Sequence, residues 1–140
     1  MKPDRTLLVH GLALFLMGLL AGLAVAVVTN PRAGLAAHLE GLMNGTFLTL
    51  VAVAVPYLVL SERSRSVARW LLVIGAWANF AGTSLSAVTG ASHTTPIAGA
   101  GFSAPVWAEM AVQVLLVSTV PTMVPAVAIL LFGAWRSRPD

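Results

Sequence analysis

The sequence predicts an all-α integral membrane protein, a four-helix bundle with both termini in the cytoplasm. Three observations predict it. Hydrophobic residues make up 58% of the 140-residue chain and charged residues only 9%, whereas an ordinary soluble domain has about 25% charged residues. So little charge cannot cover a water-facing surface, and most of the outside must face lipid. The apolar residues gather into four runs. Each supplies the roughly 20 residues that a helix needs to cross a hydrocarbon core about 30 Å thick. The basic residues cluster at one set of run ends.

The first run is Leu7 to Val28. Lys2 and Arg5 precede it, as in a signal peptide, but its apolar stretch exceeds the roughly 7–15 residues of such a signal. It is read as a retained span. "TNPRAG" follows, with an N-P turn signal and Arg32. The second run is Leu35 to Leu60. "SERSRSVAR", polar and basic, leads to the third, Val67 to Val88. "TGASHTTPIAGAGFSAP", Thr89 to Pro105, is rich in Gly, Ser, Thr and Pro and has no Lys or Arg. The fourth run, Val106 to Trp135, is longer than one crossing requires and contains Pro121 and Pro125. The whole chain, 1–140, reads as a single four-span membrane domain, with spans at about 7–28, 35–60, 67–88 and 106–135.

With four spans, the N-terminus, the second connection and the C-terminus share one side. That side holds Lys2, Arg5, Arg63, Arg65, Arg69, Arg136 and Arg138, and the other holds only Arg32. The excess of positive charge marks the cytoplasmic side. The net charge of +3 does not indicate nucleic acid, because the basic residues flank apolar runs and form no continuous stripe. The absence of cysteine excludes disulfides, thiolate zinc sites and iron–sulfur clusters.

Polar groups within a span are costly and mark interior or functional positions. "AAHLEGLMNG", Ala36 to Gly45, holds a histidine, a glutamate and an asparagine. At about 100° per residue, His38, Gly41, Leu42 and Gly45 share one face, and Glu40 and Asn44 share an adjoining one. Glu40 is therefore placed to bond Asn44, a neighbouring helix or the interface. His38 has two readings: an imidazole bonded to a carbonyl or water, or a neutral imidazole ligand to a metal or haem. Gly41 and Gly45 fit a flat macrocycle lying beside His38. Small residues at four-residue spacing, Gly18 with Gly22 and Gly41 with Gly45, equally fit close helix packing.

His10 falls at the opposite end of the membrane from His38, and His93 lies in the glycine-rich connection, where it is solvated. Asn79, Thr83 and Ser86 share a face of the third span, as interhelical bonding groups or as part of a substrate site. Glu109 and Gln113 pair near the start of the fourth, as a proton carrier or an interfacial carboxylate. No nucleotide-binding loop, nucleophile elbow or H-E-x-x-H motif occurs.

The run "HGLALFLMGLLAGL…TNPRAGLAAHLEGLMNGTFL" resembles the hydroxylaminobenzene mutases, small membrane proteins of bacterial nitroarene breakdown. The shared features are "NPR", "AHLEG" and "NG" at their spacing. A second resemblance is to the styrene oxide isomerases. It rests on Ala37-His38 followed by Asn44-Gly45, and on "AWAN", Ala76 to Asn79, where those enzymes have "GWAN". The isomerase resemblance implies a homotrimer with haem b between subunits and ferric iron acting as a Lewis acid.

Carried over, it makes His38 the axial ligand beside Gly41 and Gly45, Asn44 a polar group of the substrate pocket, and Asn79 a third-helix partner of less defined role. The isomerases have an aspartate where Gly75 stands and a pocket tyrosine where Thr83 stands, and the only tyrosine here is Tyr57. These departures weigh against epoxide isomerisation. Together the resemblances imply a haem-dependent mutase of the bacterial inner membrane. It would convert a small aromatic substrate, an aryl hydroxylamine, to an ortho-aminophenol, with Asn44, Asn79 and Thr83 as catalytic candidates. The alternatives are an epoxide isomerase, or a non-enzymatic transporter or complex subunit using Glu109, Gln113 and Asn79.

Overall fold

A computed structural model describes residues 2–137. The basic residue Arg138, counted above, lies outside the described residues. The fold is all-helical, as the composition predicts. It has α1 (Arg5–Ala24), α2 (Pro31–Ala54), α3 (Glu62–Thr89) and α4 (Val106–Arg136), with a 3-10 turn at Val55–Tyr57 after α2. All four helices are long and apolar enough to cross a membrane.

Capping residues set the helix boundaries, and they differ from the ends of the apolar runs. Asp4 starts α1 by accepting from Leu7 N–H. The helix stops at Ala24, and Val25 to Val28, read above as span, turns toward α2. Asn30 caps α2, accepting from the N–H groups of Arg32 and Ala33, and Pro31 takes the first helical position, where its missing N–H leaves no bond unmade. Helix α2 therefore begins four residues before the apolar run. Pro56 ends it. Ser61 caps α3, so most of "SERSRSVAR" is helical rather than connecting. At the other end Gly90, with φ of +79°, adopts the left-handed conformation and closes α3 with a bond to Ser86 O.

Helix α4 runs unbroken through Pro121 and Pro125. Each proline removes a helical N–H. Around them Ser118 donates to Leu115 O, and Thr122 donates to Ser118 O and Thr119 O, so the hydroxyls near the prolines are satisfied on the helix's own carbonyls.

Helices α1 and α2 are in backbone contact. A Cβ built on Gly41 would sit 2.4 Å from Gly18 Cα, and one on Gly45 would sit 2.5 Å from Phe15 N. Only hydrogen fits at that seam, and the close approach yields the van der Waals contact that joins helices in lipid. Leu7, Leu14, Leu48 and Leu72 lie fully buried where α1, α2 and α3 meet. Helix α4 packs on α3, where Gly75 and Gly82 admit Thr122 and Leu116. Its opposite face, from Val106 through Met110, Val114, Val117 and Val124 to Leu131, is exposed.

Candidate functional site

Two polar constellations built on the predicted residues of α2 interrupt the apolar interior of the first three helices. The first is His38 against α1. Its Nδ1 lies 2.8 Å from Gly18 O. A carbonyl only accepts, so Nδ1 carries the proton, and in the neutral ring Nε2 is left with its lone pair free. A second-shell carbonyl bond of this kind selects the tautomer and orientation in which a histidine binds metal. Gly22 makes the arrangement possible, since a Cβ there would fall 2.6 Å from His38 Nδ1. The ring is half-buried at the flank of the α1–α2 pair, with Leu39 and Leu35 exposed nearby on α2.

The second constellation lies between α2 and α3. Glu40 Oε2 accepts from Asn44 Nδ2 at 3.2 Å and from Asn79 Nδ2 at 2.5 Å. The i to i+4 bond within α2 is the one the helical spacing predicts. The bond from Asn79 links residues 39 apart in sequence, and the tertiary fold alone supplies it. Taking a carboxylate out of water carries a large desolvation penalty, which aimed donors offset.

Three further residues expected at the site make contacts of their own within the bundle. Gly41 and Gly45 do not offer a bare surface to a macrocycle, because the backbone of α1 fills the space over both. Their missing side chains serve helix packing, the other reading of the same spacing. Thr83 shares a helix with Asn79, but its hydroxyl donates to Asn79 O and Phe80 O of its own backbone and adds no link to the Glu40 cluster.

Glu109 is 6% exposed and accepts from the N–H groups of Ser92 and His93 at 2.9–3.1 Å. It clamps the α3–α4 connection to the first turn of α4, and the helix N-terminus favours its charge. That position suits a structural carboxylate rather than a proton carrier. Gln113 stands exposed one turn on.

A family model described as styrene oxide isomerase matches residues 3–135. Hydroxylaminobenzene mutase HabA of Ectopseudomonas oleovorans is 41% identical over 131 residues, covering 93% of this chain and 97% of that protein. Hydroxylaminobenzene mutase HabB of the same organism is 38% identical over 136 residues, covering 96% of this chain and 82% of that protein. The chain belongs to the hydroxylaminobenzene mutase family. It is an enzyme of the isomerase class, which sets aside the transporter and complex-subunit readings.

Within this family member, Gly75 acquires a packing reason. A Cβ there would lie 2.6 Å from Thr122 Oγ1 and 2.7 Å from Met123 Cγ. An aspartate here, as expected of an epoxide isomerase, would require the side chains of Thr122 and Met123 to move. His10 is separate from His38. It accepts from Trp77 Nε1 at 3.1 Å and packs edge-on against Trp70 and Trp77.

Sequence reasoning passed over two residues that hold the mutase fold together. Asn30 is fully buried. Besides capping α2, it donates from Nδ2 to Ala98 O and from its backbone to Ala87 O, joining α2, α3 and the long connection. The N-P dipeptide signals a cap there, but the other partners are distant in sequence. Asp4 pairs with Arg69 at 2.7 Å, its side chain 6% exposed, and so ties the start of α1 to α3. Nothing in the local sequence marks that pair.

Proposed function

We propose that this chain is a haem-dependent mutase that rearranges an aryl hydroxylamine to an ortho-aminophenol within the bacterial inner membrane. The observation that carries the reading is the similarity to two hydroxylaminobenzene mutases over nearly the full chain. The overall change breaks the N–O bond, forms a C–O bond at the ortho carbon and returns the displaced ring proton to nitrogen. It is balanced without an oxidant, reductant or added water.

The residues present fit a haem through one donor. His38 offers a free Nε2 on an imidazole oriented by Gly18 O, at a half-buried position beside exposed apolar side chains. A single ligand on the flank of the subunit fits a group shared with a neighbouring copy, and the assembly is the homotrimer that the resemblance to the styrene oxide isomerases implies. Bound at His38, the haem would supply a Lewis-acidic iron able to withdraw electron density from the N–O bond.

The chain's own residues supply position and dryness. Glu40 holds the Asn44 and Asn79 side chains by their amide donors. No described residue donates to Asn44 Oδ1, which serves as the acceptor that orients the substrate N–H or O–H. Thr83 braces the Asn79 turn through the backbone. The apolar surroundings exclude water that would compete for a cationic ring. In the membrane the chain lies with Arg5, Arg63, Arg65, Arg69 and Arg136 on the cytoplasmic side.

The test is the visible spectrum and phenylhydroxylamine turnover of protein purified after expression with added haem. The wild type shows a Soret band, and His38→Ala loses the band and the activity together. A band that persists in His38→Ala removes His38 as ligand. Asn44→Ala keeps the band and loses turnover by about 10²-fold, the scale of one positioning contact. The match to the styrene oxide isomerase model favours one second reading, epoxide-to-aldehyde isomerisation. Parallel assays with styrene oxide separate the two.

A further inference from the structure

A cavity of about 230 Å³ lies between α1, α2 and α3, apart from both polar constellations. Ala21, Ala24, Ala37, Phe80 and Ala87 form its walls. Its rim includes Met17, Leu20 and Val88, which are 40%, 49% and 61% exposed on the surface that faces lipid. Ala37 adjoins His38 in sequence, but the imidazole turns the other way, to Gly18 and Gly22.

One polar atom of the lining is out of keeping with the rest. Ser84 Oγ is buried and has no hydrogen-bond partner among the described residues. A helical serine ordinarily satisfies its hydroxyl on the carbonyl four residues earlier. Here that carbonyl is Phe80 O, which already accepts from Thr83 Oγ1 at 3.0 Å. Thr83, Thr89, Ser118 and Thr122 all bond back to their own helices in this way, and Ser84 does not. Solvent does not reach this oxygen to take the partner's place.

We propose that this cavity is a binding site for a single aromatic ring bearing an amine or hydroxyl group, with the polar substituent bonded to Ser84 Oγ. Three properties select that ligand. An apolar cavity of about 150 Å³ accommodates benzene, so 230 Å³ admits a ring with one small substituent. The walls are apolar and include Phe80, suited to a ring. Turned toward the cavity about its Cα–Cβ bond, the unpartnered hydroxyl both donates and accepts, so it recognises a ring-bound N–H or O–H. The rim opens to lipid, where such a molecule concentrates. The inference rests on the proposed function in taking the ligand to be the substrate or product class of that reaction, and it makes the cavity a holding site filled from the bilayer.

The test is fluorine NMR titration of the full-length protein in lipid nanodiscs with 4-fluoroaniline and with 4-fluorotoluene, which differ only in the group that would meet Ser84. Wild type binds the aniline about tenfold more tightly, the worth of one buried hydrogen bond. Ser84→Ala weakens the aniline to the level of the toluene and leaves the toluene unchanged. Ala24→Phe, which fills the cavity from α1, removes both. Equal binding of the two probes by wild type, or a preference that survives in Ser84→Ala, overturns the proposal. Displacement of both probes by added long-chain lipid assigns the cavity to an acyl chain and overturns it as well. Binding is read without turnover. An inactive protein that still shows the Ser84-dependent preference loses the mutase reading and keeps the site, and an active one without the preference does the reverse.

Discussion

At the scale of single residues, the chemistry of this chain depends on which atom of a side chain is already engaged. His38 has given Nδ1 to Gly18 O, so the only lone pair it can offer is on Nε2. Gly22 is part of that arrangement, because any side chain there meets the imidazole. On the proposal that His38 holds haem, Gly22→Ala is expected to push the ring off Gly18 O and to lower haem retention several-fold, read as the Soret-to-protein absorbance ratio. Retention equal to wild type would show that the ring orientation does not depend on Gly22. Glu40 works in the opposite sense: its carboxylate receives two amides and fixes both.

At the scale of elements, glycine decides which helices touch. The α1–α2 seam brings Gly18 and Gly41 to backbone contact, and the α3–α4 contact places Gly75 and Gly82 under side chains of α4. Gly41→Leu is expected to force α1 away from α2 and to prevent recovery of folded protein. The matched change Met43→Leu, at a position 66% exposed, leaves yield and thermal unfolding unchanged. Folded Gly41→Leu protein with the wild-type unfolding temperature would rule out the seam. Helix α4 keeps its course through Pro121 and Pro125, with the hydroxyl of Thr122 bonded to carbonyls of the same helix.

At the scale of the whole molecule, a few polar ties fasten elements that apolar packing alone would let slide. Asn30 joins the start of α2 to the end of α3 and to the connection before α4. Asn30→Ala is expected to lower stability by about 2 kcal/mol, from a lost cap and an orphaned carbonyl, measured by thermal unfolding in detergent. At the other end of the bundle, Arg69→Met strands the buried Asp4 carboxylate and is expected to destabilise by about 3 kcal/mol. Asp4→Asn combined with Arg69→Met recovers part of the loss. Equal stability of Arg69→Met and wild type would remove the pair from the fold. The α3–α4 connection is also held by Glu109 through Ser92 and His93, and by Arg32, which donates to Ala100 O and stacks over Phe102.

What could be read without coordinates is what depends on composition and near neighbours. Four apolar runs dictate four helices, because lipid leaves no other way to satisfy so much backbone. The i to i+4 spacing dictates that Asn44 reaches Glu40. The motif around His38 points to the family, and the comparisons agree. Hydropathy misplaced the helix ends, because caps such as Asn30 and Ser61 set them, with no regard to polarity.

Only the tertiary structure decided the rest. It chose between the two uses of Gly41 and Gly45 by laying α1 over them. It brought Asn79 to Glu40 and Arg69 to Asp4, turned Glu109 onto a loop, and left Ser84 without a partner. The physical reason is the same in each case. A side chain's role depends on which group occupies the few ångströms beyond it, and for residues distant in sequence that neighbour exists only once the helices have packed.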